Sequence, residues 1–128
     1  MTIFGIGTDV VSYRRIQELH SKYGERFARR LLTDAEMPEC ADNRDPARYL
    51  MKRFAAKEAF AKALGTGLRG EVALHRMGVT HDELGKPTLV FDDTLATRMK
   101  ALGVASCHLS ISDEADVAVA FVVLERDV

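Results

Sequence analysis

The chain has 128 residues, 47% of them apolar, with 18 lysines and arginines against 19 acids and a formal charge of −1. That length and apolar share predict a single domain, residues 1–128, with a real core. The near-neutral balance argues against a general nucleic-acid-binding surface, and no apolar run is long enough to span a bilayer, so neither nucleic acid nor membrane is an expected partner. Cys40 and Cys107 match no metal or redox spacing and read as core or incidental residues. The absence of a secretory pattern predicts a cytoplasmic protein.

Ile3–Val11 reads as a hydrophobic strand in which Gly5 and Gly7 permit close backbone approach, with Asp9 at its junction with a helix starting near Ser12 or Tyr13. Helical patterns follow over Tyr13–Tyr23 and Glu25–Leu32, with Gly24 as the stop between them. Thr33-Asp34-Ala35-Glu36 has the form of a capping box, and Ala41–Asp45 is a polar loop. Asp45 and Pro46 then open a long helix. At ~100° per residue, Ala47, Leu50, Met51, Phe54, Glu58, Ala61 and Leu64 fall on one stripe of it, with Glu58 among apolar neighbours. Beyond Gly70 the pattern turns to strands: Val79–Asp82 and Thr88–Phe91 flank a turn at Leu84–Pro87. A helix over Thr94–Leu102 ends at Gly103, and Val104–Ser112 and Val117–Leu124 close the chain. In the first of these, Ser106, His108, Ser110 and Ser112 are expected opposite Ala105, Cys107, Leu109 and Ile111. The order predicts an α+β fold, a single compact domain with a long central helix packed on an antiparallel sheet. The glycine pairs fit neither a dinucleotide fingerprint nor a Walker loop.

Glu58 on an apolar stripe needs a partner, either a cation from elsewhere in the fold or a metal ion. Asp9 is the natural second carboxylate, and two carboxylates with phosphate oxygens and water make the hard oxygen site that magnesium prefers. Equally, Asp9 would serve as a helix cap, with Glu58 paired to Arg53 or Lys62. Lys57 and Lys62 add ammonium groups to a helix that runs into Gly65-Thr66-Gly67, an arrangement suited to a metal-bound phosphate ester; Gly65 alone also suits a helix stop. Arg14, Arg15, Arg26, Arg29 and Arg30 lie in the first 30 residues, whereas Asp82, Glu83, Asp92, Asp93, Asp113, Glu114 and Asp116 lie in the last 50. This asymmetry fits a basic face for an anionic partner or an ordinary solvated helix surface.

Gly7-Thr8-Asp9-Val10-Val11 with Arg15-Ile16, Arg53-Phe54-Ala55-Ala56-Lys57-Glu58-Ala59, Lys62 through Gly67, Gly85-Lys86-Pro87 and His108-Leu109-Ser110-Ile111-Ser112 follow one another over nearly the whole chain. Together they resemble the bacterial holo-acyl-carrier-protein synthases, a family of 4'-phosphopantetheinyl transferases. The resemblance implies transfer of 4'-phosphopantetheine from coenzyme A to a serine of an apo-acyl carrier protein, releasing adenosine 3',5'-bisphosphate. It implies magnesium on Asp9 and Glu58, with Glu58, directly or through a water on the metal, accepting the serine proton. Lys62 would steady the pyrophosphate, and Arg53 and Lys57 would add positive charge beside it. Gly65, Thr66 and Gly67 would surround phosphate oxygens, Lys86 and Pro87 would edge the adenine pocket after serving as a turn, and His108 would meet the 3'-phosphate. Arg15 foremost, with Arg26, Arg29 and Arg30, would face the acidic carrier. The family also implies a homotrimer with active sites between subunits, to which the Val117–Leu124 strand is suited. Asp113 departs from the family pattern, where histidine is frequent. A module that binds acidic proteins and a magnesium-dependent nucleotide phosphohydrolase are the other readings; the full ordered motif set favours transfer over both.

Overall fold

The computed structural model describes residues 1–127. In chain order the elements are β1 (Thr2–Ser12), α1 (Tyr13–Tyr23), α2 (Glu25–Leu31), α3 (Glu36–Ala41), α4 (Pro46–Leu64), β2 (Met77–His81), β3 (Pro87–Phe91), α5 (Asp93–Leu102), β4 (Val104–Asp113) and β5 (Val117–Arg126), with a short 3-10 turn at Leu74–Arg76. Strands β1, β5 and β4 form an antiparallel sheet in that order, and β2 and β3 pair as a separate hairpin. The fold is α+β, with α4 packed on the inner face of the three-stranded sheet.

Local chemistry sets the boundaries. Ser12 Oγ accepts from the Arg15 amide at 3.3 Å and so caps α1. Asp9 is therefore not the cap; it lies inside β1, opposite Ala120 of β5. Gly24, at a φ of 54°, breaks α1 from α2. The Thr33–Glu36 capping box forms in both directions, with the Glu36 amide 3.2 Å from Thr33 Oγ1 and the Thr33 amide 3.0 Å from Glu36 Oε1. Asp45 accepts from the Arg48 amide at 3.1 Å, with Pro46 in the first turn of α4.

Helix α4 does not carry the single apolar stripe expected of it. Thirteen of its 19 residues are buried, because the sheet covers one side and α1, α2 and α3 pack on others. What remains partly open is a strip holding Arg48, Lys52, Phe54, Glu58 and Lys62. On the sheet side α4 presents Ala59 and Ala63 to Gly5 and Gly7. A Cβ at Gly7 would overlap the Ala59 carbonyl oxygen, and one at Gly5 that of Ala63. Bare backbone at these two positions lets strand and helix meet at a distance no larger residue allows.

The sheet's inner side carries Val11, Leu109, Ala118, Ala120, Val122 and Leu124 into the core. Its outer side exposes Ile6, Val10, Val119 and Phe121. Strand β4 alternates as expected from Ser106 onward, but a register shift between Val104 and Ser106 removes Ala105 from the alternation and leaves it exposed.

Candidate active site

The close approach of β1 to α4 brings Asp9 beside Lys62. Lys62 Nζ donates to Asp9 Oδ1 at 3.0 Å and to the Thr8 carbonyl at 3.1 Å. Glu58 stands one turn before Lys62 on the same row of α4, half-buried, with no side-chain hydrogen bond or ion pair among the described residues. Burial first, and then the Asp9 charge, raises its carboxyl above the usual carboxylate range, with Lys62 and Arg15 opposing. The two acids thus act on each other electrostatically, and neither proposed ion pair of Glu58, with Lys62 or Arg53, forms. Two hard oxygen donors that repel each other, one without a cation, suit a divalent ion. No cluster of three or more metal-ligating side chains occurs among the described residues, so an ion held by these two acids would need further oxygen ligands from substrate or water.

Arg53 and Lys57, expected from sequence to contact coenzyme A, do something else. Both are buried, and Lys57 is completely so. Lys57 Nζ lies 2.7 Å from Glu36 Oε1 and donates to the Leu31 carbonyl at 2.7 Å; Arg53 Nε donates to Glu36 Oε2 at 3.0 Å. The Val79 amide completes the set on Oε2 at 2.9 Å, and the Arg53 guanidinium lies 3.7 Å from the centre of the Tyr49 ring. Burial pushes the Glu36 carboxyl up, but the Lys57 charge and hydrogen bond, with the Thr33 and Val79 amides, outweigh it and hold the group below its ordinary range. Burial also lowers the Lys57 ammonium to about 8, against the pull of Glu36. A buried lysine and arginine whose charges face Glu36, and whose other donors reach the Leu31 and Val79 carbonyls, have little charge to offer a ligand. In the sequence Glu36 reads only as the end of a capping box; its other partners lie 17, 21 and 43 residues away, and nothing local marks them.

The Gly65-Thr66-Gly67 turn also differs from the phosphate cradle expected of it. The Gly65 amide donates to Ala61 and Lys62 and the Gly67 amide to Ala61, so both close the helix; Thr66 Oγ1 donates to the Gly67 carbonyl at 2.9 Å. Gly65 and Thr66 do line a cleft of about 580 Å³, in which Arg69 and Arg98 supply the positive charge. Neither arginine was singled out from sequence, since one sits in an irregular loop and the other on α5, far along the chain.

Arg15 lies on α1 with its guanidinium 5.9 Å from the centre of the Phe54 ring, close enough for its charge to act on Glu58. Arg26 and Arg30 line an apolar groove of about 420 Å³ with Leu19, Tyr23, Phe27 and Leu74. Arg29 turns away, paired to Glu25 at 2.7 Å and facing a different cleft beside Thr33 and Asp34. The four arginines are therefore not one patch.

Lys86 and Pro87 stand at the end of the β2–β3 hairpin, with no hydrogen bond or ion pair to Asp9 or Glu58 among the described residues. His108 lies on the outer face of β4, its Nε2 2.6 Å from Glu125 Oε1, which also accepts from Ser106 Oγ at 3.1 Å. Asp9 shares the inner face with the glycines that meet α4. One chain thus presents Asp9 and His108 on opposite sides of the same sheet. Asp113 binds Arg48 at 2.9 Å and lies 3.7 Å from Lys52, tying the end of β4 to the first turns of α4.

The model of the 4'-phosphopantetheinyl transferase superfamily matches residues 5–122. The chain belongs to that superfamily. Among its transferase relatives, a holo-[acyl-carrier-protein] synthase of Nitrosospira multiformis is 59% identical over 124 residues, 97% of this chain and 99% of the relative. The crystal structure of holo-[acyl-carrier-protein] synthase from Neisseria meningitidis superposes with a TM-score of 0.95 at 49% identity, covering 98% of this chain and 100% of that one. A Bacillus anthracis holo-(acyl-carrier-protein) synthase in complex with CoA (3',5'-ADP) gives a TM-score of 0.81 at 35% identity, covering 99% and 100%. The transferase fold is thus shared over the full length of both solved proteins.

Proposed function

We propose that this chain is a holo-acyl-carrier-protein synthase, one transferase domain over residues 1–128, that moves 4'-phosphopantetheine from coenzyme A to a serine of an apo-acyl carrier protein. The observation that carries the reading is the unpartnered Glu58 carboxylate beside the Asp9–Lys62 pair, in a chain whose relatives bear that name and one of which was solved with CoA. Asp9 and Glu58 would hold magnesium. When bound, the ion supplies positive charge at the phosphoryl oxygens and orients the donor.

The bond that forms joins the carrier serine oxygen to the phosphorus bearing pantetheine. The bond that breaks is the pyrophosphate linkage, and adenosine 3',5'-bisphosphate leaves. Glu58, its carboxyl raised by burial and by Asp9, is suited to take the serine proton, while Lys62, 55% exposed at its side chain, can shift from Asp9 to the departing phosphate. Thr66 and the cleft it shares with Arg69 give the anionic donor a continuation of the site. Arg15 beside Phe54, and Arg26 and Arg30 around their apolar groove, suit an acidic, partly apolar carrier helix; Arg29 contributes at the margin.

The exposed Ile6, Val10, Val119 and Phe121 on the outer sheet face support assembly into a homotrimer. Packing on that face is the arrangement by which His108, and the Lys86–Pro87 hairpin end, would serve a neighbour's coenzyme A. No helix among the described residues is long and apolar enough to cross a membrane, and coenzyme A and a carrier protein as substrates support a cytoplasmic location. The deciding experiment incubates the protein with coenzyme A, magnesium and an apo-acyl carrier protein. A carrier mass increase with stoichiometric adenosine 3',5'-bisphosphate is expected; nucleotide release without carrier modification would identify a phosphohydrolase instead.

A further inference from the structure

Glu36 touches neither Asp9 nor Glu58, yet it is the most fully engaged carboxylate among the described residues. It is 3% exposed and accepts four hydrogen bonds: Thr33 N and Lys57 Nζ on one oxygen, Arg53 Nε and Val79 N on the other. Arg53 and Lys57 are one turn apart on α4, and each directly precedes a residue of the row Phe54, Glu58, Lys62. Lys57 also binds the last carbonyl of α2. A single side chain therefore grips α4 at two points and ties both to α2, α3 and β2.

The sheet-facing side of α4, about 120° round the helix from Arg53 and Lys57, is a different kind of contact. There Ala59 and Ala63 meet Gly7 and Gly5, a contact of small residues that brings backbones together and adds few interlocking side chains of its own. A turn of about 10° about the helix axis moves a group at a radius of roughly 5–6 Å by about 1 Å. Misplacement on that scale can cost a catalytic constellation about a hundredfold.

We infer that Glu36 is a positioning residue: its hydrogen bonds to Arg53 and Lys57 fix the rotation of α4 and so hold Glu58 against Asp9 at the separation a shared divalent ion requires. This rests on the metal assignment made above and extends it to a group outside the site. It also gives the buried ionic cluster a task other than stability, which such clusters supply poorly.

The test compares wild type with Glu36→Gln and Arg53→Met by calorimetric titration of coenzyme A, with and without magnesium, and by transfer kinetics across magnesium concentration. Arg53→Met keeps the buried stem and the Glu36–Lys57 pair, so it reports on one grip where Glu36→Gln fails to fold. Circular dichroism at the assay temperature establishes that each variant is folded. The magnesium-dependent gain in coenzyme A affinity should fall by about tenfold in Glu36→Gln and by less in Arg53→Met, with metal-free coenzyme A affinity and the KM for carrier unchanged. Folded variants that keep the wild-type gain overturn the inference, as does an equal loss of metal-free and metal-dependent binding, which a merely structural role would produce. A wild type that gains affinity with magnesium but modifies no carrier removes the transferase reading and leaves this one standing.

Discussion

Lys62 Nζ donates to Asp9 Oδ1 at 3.0 Å and thereby joins the Phe54, Glu58 and Lys62 row of α4 to strand β1. The lysine side chain is 55% exposed, so a pair of this kind adds little to stability, on the order of 0–1 kcal/mol. Its value lies in where it places a mobile positive charge. Lys62→Met should leave the melting temperature nearly unchanged while lowering turnover at saturating carrier by roughly 10²-fold. Substrate titrations on the variant check this; a change confined to the carrier KM would move Lys62 out of the phosphate site.

Asp9→Asn and Glu58→Gln keep the shape of the two carboxylates and remove their charge. Each should depress magnesium-dependent transfer by at least about 10²-fold with the circular dichroism spectrum preserved. Near-normal turnover in both variants would mean that the ion is held elsewhere.

The approach of β1 to α4 has no room for a methyl group at Gly7, where a Cβ would overlap the Ala59 carbonyl. Gly7→Ala should cost about 1–3 kcal/mol, read as a lower urea midpoint, and should lower transfer in the fraction that remains folded because Asp9 moves with the strand. Stability loss without any effect on transfer would separate the contact from the site.

The buried Glu36 carboxyl gives the fold an acid limit. Its native value lies below its ordinary 4.5, so the stability it contributes is fully present above that pH and is lost as pH falls through the lower native value. Thermal melts across pH 3–6 should show the melting temperature falling below about pH 4.5, with a shallower slope in Glu36→Gln. An unchanged slope would assign the acid limit to other carboxylates.

Carrier binding should depend on ionic strength more than coenzyme A binding does. Arg15, Arg26 and Arg30 would act on the carrier across an exposed surface, where ~0.15 M salt screens over about 8 Å, whereas the phosphates of coenzyme A would be held at contact range. Arg26→Glu should raise the carrier KM and flatten its salt slope, with coenzyme A affinity within about twofold of wild type. Equal salt slopes for both substrates would shift the docking contact to apolar residues of the same groove.

What could be read from the sequence was local. Ser12, Gly24, Asp45 with Pro46, and Gly65 mark the helix ends through their own backbones, and Gly5 and Gly7 announce a close contact without naming its partner. Glu58 stands out in the sequence because a carboxylate among apolar residues demands an explanation, whereas its nearness to Asp9 depends on how β1 packs on α4. The Glu36 partnership of Arg53 and Lys57 is hidden for the converse reason: basic residues beside a phosphate motif look like ligands until their counter-charge is known, and Glu36 reaches them only through tertiary packing. The separation of Arg29 from Arg26 and Arg30 was equally hidden, since it depends on which loops each helical face meets.

The placement of Asp9 and His108 on opposite faces of one sheet has a genetic consequence. If His108 serves a site on an adjoining copy, a gene broken at Asp9 and a gene broken at His108 are defective in different halves of each site. Expressed together, the two faulty products would assemble some mixed rings in which an intact Asp9 meets an intact His108. Such alleles would complement one another, whereas two alleles both altered at Asp9 would not.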